Sequence, residues 1–101
     1  MSVLITLRIQ GDATQLEHMK DLDEGLFARV AARGQEAGAT YHRFYATDSE
    51  ILVIDQWPDE KAFHTFFESQ TEIPKMMAEA GVTEPPVITC YRKLDLGDDI
   101  G

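Results

Sequence analysis

Basic residues are scarce in this sequence, which has 9 lysines and arginines against 18 aspartates and glutamates and a net charge of −9 at pH 7. Phosphate groups of nucleic acids and anionic lipid headgroups would repel such a chain. Long apolar runs are also missing, since none approaches the roughly 20 residues that span a bilayer. We therefore expect neither a nucleic-acid partner nor a membrane partner.

Cysteine is nearly absent, with Cys90 as the one example in 101 residues. A lone cysteine forms no internal disulfide, which is typical of proteins from a reducing compartment. The sequence starts without a basic leader, so we expect a cytoplasmic protein. Cys90 itself lies in a strand-like segment, where a small buried apolar side chain is the usual role of cysteine.

Several catalytic and binding motifs are missing as well. The chain has no G-x-G-x-x-G, P-loop or G-x-S-x-G sequence, which leaves nicotinamide, nucleotide and serine-hydrolase chemistry without support. The three histidines lack the spacing of metal ligands, so we expect no metal and no cofactor. His18 and His64 fall on the flanks of helical stripes and are expected at the surface.

The first half of the chain predicts a strand followed by one helix. Val3 begins an alternation of apolar and polar residues, with a period of two, that continues through residue 9. Thr14 and Glu17 have the spacing of a capping box at a helix start. Apolar residues then recur every three or four positions, and Gly34 and Gly38 stand at the expected end, Gly38 being the better C-terminal cap.

The second half predicts two strands over residues 40–47 and 50–57, joined by the turn "TDSE". Pro58 should stop the second strand, and Asp59 is a candidate N-cap for the next helix. A further short helix is expected to begin around Thr71 and to end at Gly81. A last strand, "VITCYRKL", precedes an acidic tail over residues 94–101.

The predicted order of elements is strand, helix, strand, strand, helix, strand. This order indicates a ferredoxin-like split βαβ fold in the α+β class, an antiparallel four-stranded sheet with helices on one face, within a single domain over residues 1–101. A sheet covered on one side should alternate apolar with polar residues, but the segment "ILVI" does not. Leu4 also breaks the alternation. A second copy of the chain would cover the other face, so we expect a homodimer through the sheet.

The segment "LVIDQWPDEKAFHTFFES" has a strand that ends in an acid and Trp57, then a cap at Asp59 and an aromatic helix. With its surroundings, residues 2–93, it resembles the dimeric α/β-barrel superfamily, in particular the antibiotic biosynthesis monooxygenase-like branch. The resemblance implies cofactor-free oxidation of hydroxylated aromatics or quinols, with Trp57 as the strand-end tryptophan and His42 as its polar partner. Met77 lies near the position of a helix arginine that those enzymes use.

A heme-degrading branch of the same superfamily is also similar in fold. The resemblance implies that its members need an asparagine, a tryptophan and a histidine at three positions. Those positions hold Thr6 or Leu7, Phe66 and Met76 in this chain. We therefore do not expect heme degradation.

Pairing outward from the turn predicts a histidine and a carboxylate as cross-strand neighbours. A two- or four-residue loop sets Ala46 opposite Ile51, which places His42 opposite Asp55 on one face of the sheet. A carboxylate beside an imidazole fixes its tautomer and favours its action as a general base. The same pair would also serve a purely structural role at a sheet end, so both interpretations stay open.

Aromatic residues near this pair suggest a ligand site. Trp57, Phe44, Phe63 and Phe67 would supply a flat apolar wall for an aromatic ring, although the helix phenylalanines also fit ordinary core packing. With His42 and Asp55 as catalytic residues, the predicted function is a cofactor-independent monooxygenase acting on a small aromatic or quinol-like compound. The alternative is a non-catalytic small-molecule-binding or dimerisation module of the same fold.

Overall fold

The computed structural model describes residues 2–101, and these residues form four strands and four helices. The strands are β1 (Val3–Gln10), β2 (Tyr41–Ala46), β3 (Glu50–Trp57) and β4 (Val87–Arg92). The helices are α1 (Ala13–Leu22), α2 (Leu26–Glu36), α3 (Glu60–Ser69) and α4 (Glu72–Glu79). The strands pair in the order β2-β3-β1-β4, all antiparallel, so the predicted ferredoxin-like α+β fold is confirmed.

The core lies between the sheet and the helices, because alternate residues of each strand point to the same side. Ile5, Leu7 and Ile9 of β1 are 6% exposed or less, and Leu7 pairs with Val53 across to β3. Burying an aliphatic side chain of this size contributes about 1.5–3 kcal/mol relative to leaving it in water. The alternation predicted for the first strand is therefore the pattern that fixes which face of the sheet meets the helices.

The prediction of one helix after β1 is wrong, because the chain breaks between α1 and α2. Asp23 has extended backbone angles, with φ −144° and ψ 91°, which no helix can continue. Its carboxylate accepts hydrogen bonds from the backbone N–H of Gly25, at 3.2 Å, and from Arg29, at 2.7 Å. Leu22, which the single-helix pattern placed on the apolar stripe, is 75% exposed at this break.

The ends of these helices also refine the prediction. The N-cap of α1 is Asp12 rather than Thr14: the Asp12 carboxylate accepts hydrogen bonds from the Thr14 amide at 2.9 Å and from its hydroxyl at 2.7 Å. Gly34 lies inside α2, against Phe66. Gly38 follows the helix with φ +124°, a conformation that favours glycine, so the prediction of Gly38 as the better cap is confirmed.

The second half of the chain follows the prediction closely. Asp59 is the N-cap of α3, and its carboxylate accepts a hydrogen bond of 2.7 Å from the amide of Ala62. Thr71 is the N-cap residue of α4 but makes no side-chain hydrogen bond there. Gly81, with φ +77°, follows the end of α4. These boundaries place the aromatic face of α3 against the end of β3.

The outer face of the sheet, which points away from the helices, stays largely uncovered. Leu52 and Ile54 of β3 are only half-buried, and Tyr45 of β2 and Tyr91 of β4 are 52% and 51% exposed. Beyond β4 the tail over residues 93–101 carries three further exposed apolar side chains, namely Leu94, Leu96 and Ile100. The two-sided apolar character of "ILVI" therefore corresponds to a face that nothing in residues 2–101 fully covers.

Candidate functional site

The β2–β3 hairpin has the register that the sequence predicts. Ala46 pairs with Ile51, and four pairs further along, His42 lies opposite Asp55. The turn is closed by a hydrogen bond of 2.8 Å from the Thr47 amide to the Glu50 carbonyl. Because side chains alternate along a strand, this register puts His42 and Asp55 on the helix-facing side of the sheet. The predicted pairing of the two residues is confirmed.

Asp55 is the polar centre of the site, and each of its carboxylate oxygens has a donor. His42 Nδ1 lies 2.6 Å from Asp55 Oδ1, and Trp57 Nε1 donates to Asp55 Oδ2 at 3.2 Å. Asp55 is 7% exposed. Burying an unpaired carboxylate costs several kcal/mol, so these two donors explain why an acid is tolerated at the end of a buried strand.

The contact with Asp55 also determines the state of the imidazole of His42. A carboxylate only accepts hydrogen bonds, so Nδ1 carries the proton and donates it to Asp55. In the neutral ring Nε2 is then the acceptor, and within residues 2–101 no donor is bonded to it. The His42 side chain is 37% exposed. A ligand hydroxyl can therefore reach the lone pair on Nε2.

A cavity of about 110 Å³ lies beside this pair, between the sheet and the helices. Its wall is apolar apart from His42 and Asp55, the two ionisable residues that line it in the described part of the chain. An engineered apolar cavity of about 150 Å³ takes up benzene, so the space here has the scale of one aromatic ring. The half-exposed side chains of His42 and Phe44 place its opening along the edge strand β2.

Four aromatic rings form the inner wall of the cavity. The Trp57 ring lies 5.8 Å from that of Phe63 and 5.4 Å from that of Phe66, measured between centroids, and Phe63 stacks on Phe67 at 5.4 Å. Trp57 and Phe63 are 1% and 2% exposed. They are thus core residues that also line the cavity. Core packing and a place in the cavity wall, which the sequence offered as alternatives, occur together here.

The structure brings all six predicted site residues to one cavity. His42, Phe44, Asp55, Trp57, Phe63 and Phe67 all line it. Their catalytic and substrate-binding roles stay predictions. What the geometry adds is the direct link between Asp55 and Trp57, which the hairpin register alone placed two positions apart on one face.

Sequence reasoning missed part of the wall. Phe27 and Val30 of α2 and Met76 and Met77 of α4 close the cavity on the side opposite the sheet. Phe27 and Val30 belong to the apolar stripe noted in the sequence, but the direction of α2 depends on the break at Asp23. The helix periodicity could therefore show that they are buried but not what they face.

The remaining titratable candidates lie outside the cavity. His18 is exposed, and His64 is 40% exposed with Nε2 3.4 Å from the Glu60 carboxylate. Burial raises the pKa of the Cys90 thiol above its usual value, which keeps it protonated and unreactive. From Ser2 onward, no cluster of histidine, cysteine and carboxylate side chains could hold a metal ion, and the helices are all too short or too polar for a bilayer span.

No protein-family model matches this chain, and no curated protein matches it in sequence. Solved structures do match it. One is SnoaB, a cofactor-independent oxygenase from Streptomyces nogalater, with 18% identity and a TM-score of 0.62 over 96% of this chain and 98% of that chain. Another is a candidate antibiotic biosynthesis monooxygenase from Deinococcus radiodurans, with 19% identity and a TM-score of 0.65 over 100% of both chains.

A third match is a dimeric ferredoxin-like protein from an uncultured marine organism, with 14% identity and a TM-score of 0.67 over 99% of this chain and 92% of that chain. Identities this low show a shared fold. The resemblance to the antibiotic biosynthesis monooxygenase-like group is therefore confirmed at the level of the fold, and the activity has to be argued from the site.

Proposed function

We propose that this protein is a cofactor-independent oxygenase that acts on a small aromatic or quinol-like compound, with His42 as the general base. The observation that carries the proposal is the 2.6 Å contact between His42 Nδ1 and Asp55 in the wall of an apolar, ring-sized cavity. This contact leaves the basic nitrogen of His42 unoccupied where a phenolic hydroxyl would lie.

The chemistry follows from that arrangement. His42 Nε2 takes the proton of a phenol or hydroquinone hydroxyl, and the imidazolium that forms is stabilised by the Asp55 carboxylate. The resulting anion transfers one electron to dioxygen, which gives a substrate radical and superoxide. These combine to a peroxide at a ring carbon that carries hydrogen, the imidazolium returns a proton to the peroxide, and loss of water leaves a quinone that keeps one oxygen atom. Asp55 Oδ1 accepts the hydrogen bond of the imidazole throughout, with Trp57 Nε1 donating to its second oxygen. The role of Trp57 in this scheme is to position the carboxylate.

The wall of the cavity supports a neutral substrate. No lysine or arginine lines it, so a phosphorylated compound would find no counter-charge there. The space of about 110 Å³ favours a single flat ring. SnoaB, which has a similar fold and is described as a cofactor-independent oxygenase, supports the reaction class and leaves the substrate open.

The test is oxygen consumption with a panel of phenols and hydroquinones. Replacing a positioned general base typically costs 10²-fold or more, so His42→Ala should lower turnover by ~10²-fold or more. Asp55→Asn should cost less, because it mainly disturbs the orientation of the imidazole. His64→Ala is the matched control, since His64 lies on α3 outside the cavity wall, and it should leave turnover unchanged.

Two outcomes would contradict the proposal. One is the absence of oxygen uptake by the unmodified protein with every compound of the panel. The other is equal turnover in the His42→Ala and His64→Ala proteins, which would show that the base is elsewhere.

The second candidate function is a small-molecule-binding module without catalysis. The observation that favours it is the packing of Trp57 and Phe63, which are 1% and 2% exposed and meet edge to face as in an ordinary core. In that case the pair of His42 and Asp55 is structural. Both His42→Ala and Asp55→Asn should then lower the free energy of unfolding while ligand binding persists.

We also propose that two copies of the chain associate through the outer face of the sheet. The half-buried Leu52 and Ile54 lie side by side along β3 in the middle of that face, and Leu4 lies further along β1. A neighbour of similar fold is described as a dimeric ferredoxin-like protein, which supports a dimer here.

A further inference from the structure

A second groove adjoins the cavity, on the other side of a contact between two phenylalanines. The rings of Phe27 and Phe44 meet edge to face, with centroids 5.8 Å apart and planes at 83°. The groove measures about 290 Å³ and lies between α1 and the turn end of the β2–β3 hairpin. Four residues line both spaces and so separate them: Leu16, Phe27, Phe44 and Ile51.

Within this partition, Phe44 is the most exposed residue and so has the most room to move. Ile51 is 1% exposed, and Leu16 packs against both clusters of the core. Phe44 is 43% exposed on the edge strand β2, and Phe27 is half-buried at the start of α2. Rotation of a half-exposed ring disturbs little packing.

Phe44 also stands next to the proposed base. Its ring meets the His42 imidazole edge to face, with centroids 5.1 Å apart, and it contacts Phe27 as well. A ligand that binds beside His42 and extends toward the groove must therefore displace the Phe44 ring. Ligands of one ring fit without that displacement.

We propose that the contact between Phe27 and Phe44 sets the length of the ligand, by closing the cavity to molecules longer than one aromatic ring. This inference rests on the proposed function, because it takes an aromatic ligand beside His42 as its starting point. When the contact opens, the cavity joins the groove, and the site accepts an uncharged extension such as a second ring. Glu17 and Lys20 at the groove offset each other in charge, which favours a neutral extension.

The strength of the aromatic contact indicates how strongly it should favour one-ring over two-ring ligands. An edge-to-face aromatic contact contributes roughly a two- to tenfold factor to an equilibrium constant. A two-ring ligand must break the contact between Phe27 and Phe44, so its affinity is lowered by about this two- to tenfold factor. Its contacts with the apolar surface of the groove form only once the rings have separated. Removing the contact should therefore favour a two-ring ligand over a one-ring ligand.

The experiment compares the affinities of phenol and 4-phenylphenol by titration calorimetry, so it does not depend on turnover. In Phe44→Ala the ratio of the two affinities should shift toward 4-phenylphenol by roughly two- to tenfold relative to the unmodified protein. Phe27→Leu keeps an apolar side chain in α2 but loses the ring contact, and it should shift the ratio in the same direction. Phe44 is half-exposed, so its replacement should leave the fold intact.

Phe67→Ala is the matched control, because Phe67 lines the cavity but not the groove. It adds space beside α3 and should change the ratio by less than about twofold. An equal shift in Phe67→Ala and Phe44→Ala would overturn the inference, since volume alone would then explain the result. Unchanged ratios with phenol still bound would overturn the inference and leave the proposed function standing. Failure of both compounds to bind any of these proteins would overturn both.

Discussion

At the scale of single residues, Asp55 determines the geometry of the site because it joins two side chains that differ in exposure. Its Oδ1 accepts a hydrogen bond from the half-exposed His42, and its Oδ2 accepts one from the buried indole of Trp57. A carboxylate held from both sides cannot rotate freely, so the imidazole that it orients is also held. Trp57 thus helps to orient the His42 imidazole through the carboxylate between them.

This role of Trp57 predicts the result of a double-mutant cycle. Trp57→Phe keeps an aromatic ring but removes the donor to Asp55 Oδ2, which leaves a buried carboxylate oxygen unpaired. An orphaned group of this kind costs about 1–3 kcal/mol of the free energy of unfolding, in addition to the loss of packing. In an Asp55→Ala background the same change should cost less, because no carboxylate remains. Urea unfolding of the four proteins measures the difference, and equal costs in both backgrounds would refute the role.

At the scale of secondary-structure elements, the break between α1 and α2 decides where the helical wall of the cavity lies. The extended backbone at Asp23 ends α1, and the pair of Asp23 with Arg29 stabilises the start of α2. Because α2 takes a new direction, Phe27 reaches the edge strand β2 and meets Phe44.

The start of α1 predicts a difference in acid sensitivity. Hydrogen bonds from the hydroxyl and then the amide of Thr14 hold the pKa of the Asp12 carboxyl below its ordinary value of 3.8. A carboxyl whose pKa is lower in the folded state stabilises the fold above that ordinary value, and the contribution is lost as the pH falls through the folded-state pKa. Asparagine caps helices equally well without ionising. Asp12→Asn should therefore lose less thermal stability than the unmodified protein between about pH 5 and pH 2.

Thermal unfolding followed by circular dichroism over this pH range measures the effect. The two proteins should have similar melting temperatures near pH 7, and their difference should grow only in acid. Parallel curves over the whole range would show that the ionisation of Asp12 contributes nothing.

At the scale of the whole molecule, the sheet has one face buried by helices and one face that remains open. The open face is mixed, with apolar Leu52 and Ile54 at the centre and an ion pair of Arg8 with Glu50, at 3.1 Å, near one end. This distribution resembles an interface with an apolar centre and a polar margin. A stable obligate interface would bury about 2,000 Å² or more in total.

The proposed dimer predicts that a charge at the centre of this face separates the copies. Leu52→Asp should dissociate or unfold the protein, because it would bury two carboxylates related by symmetry without partners. Leu22→Asp is the control, since Leu22 is 75% exposed on α1, away from the sheet, and it should leave the mass unchanged. Sedimentation analysis at micromolar concentration distinguishes the species. An unmodified chain that is monomeric under these conditions would end the proposal.

The strands and the pair of His42 with Asp55 followed from the sequence alone. The two residues are 13 positions apart along one hairpin. A short turn and the two-residue period of a strand are sufficient to fix such a register, because any slip would move the buried residues into water. The cap at Asp59 is likewise a local interaction, over three residues. Local rules could therefore predict the hairpin, the start of α3 and the face on which the pair lies.

Only the tertiary structure decided the direction of α2, the wall of the cavity and the link between Trp57 and Asp55. Helical periodicity shows that Phe27 is buried but not its neighbour, because a helix packs in many orientations with the same stripe against a sheet. The indole packs against Phe63 and Phe66 of α3, and in this position its Nε1 donates to the carboxylate of Asp55. These contacts join elements that are distant in sequence, so packing between layers, rather than any local pattern, creates the cavity beside His42.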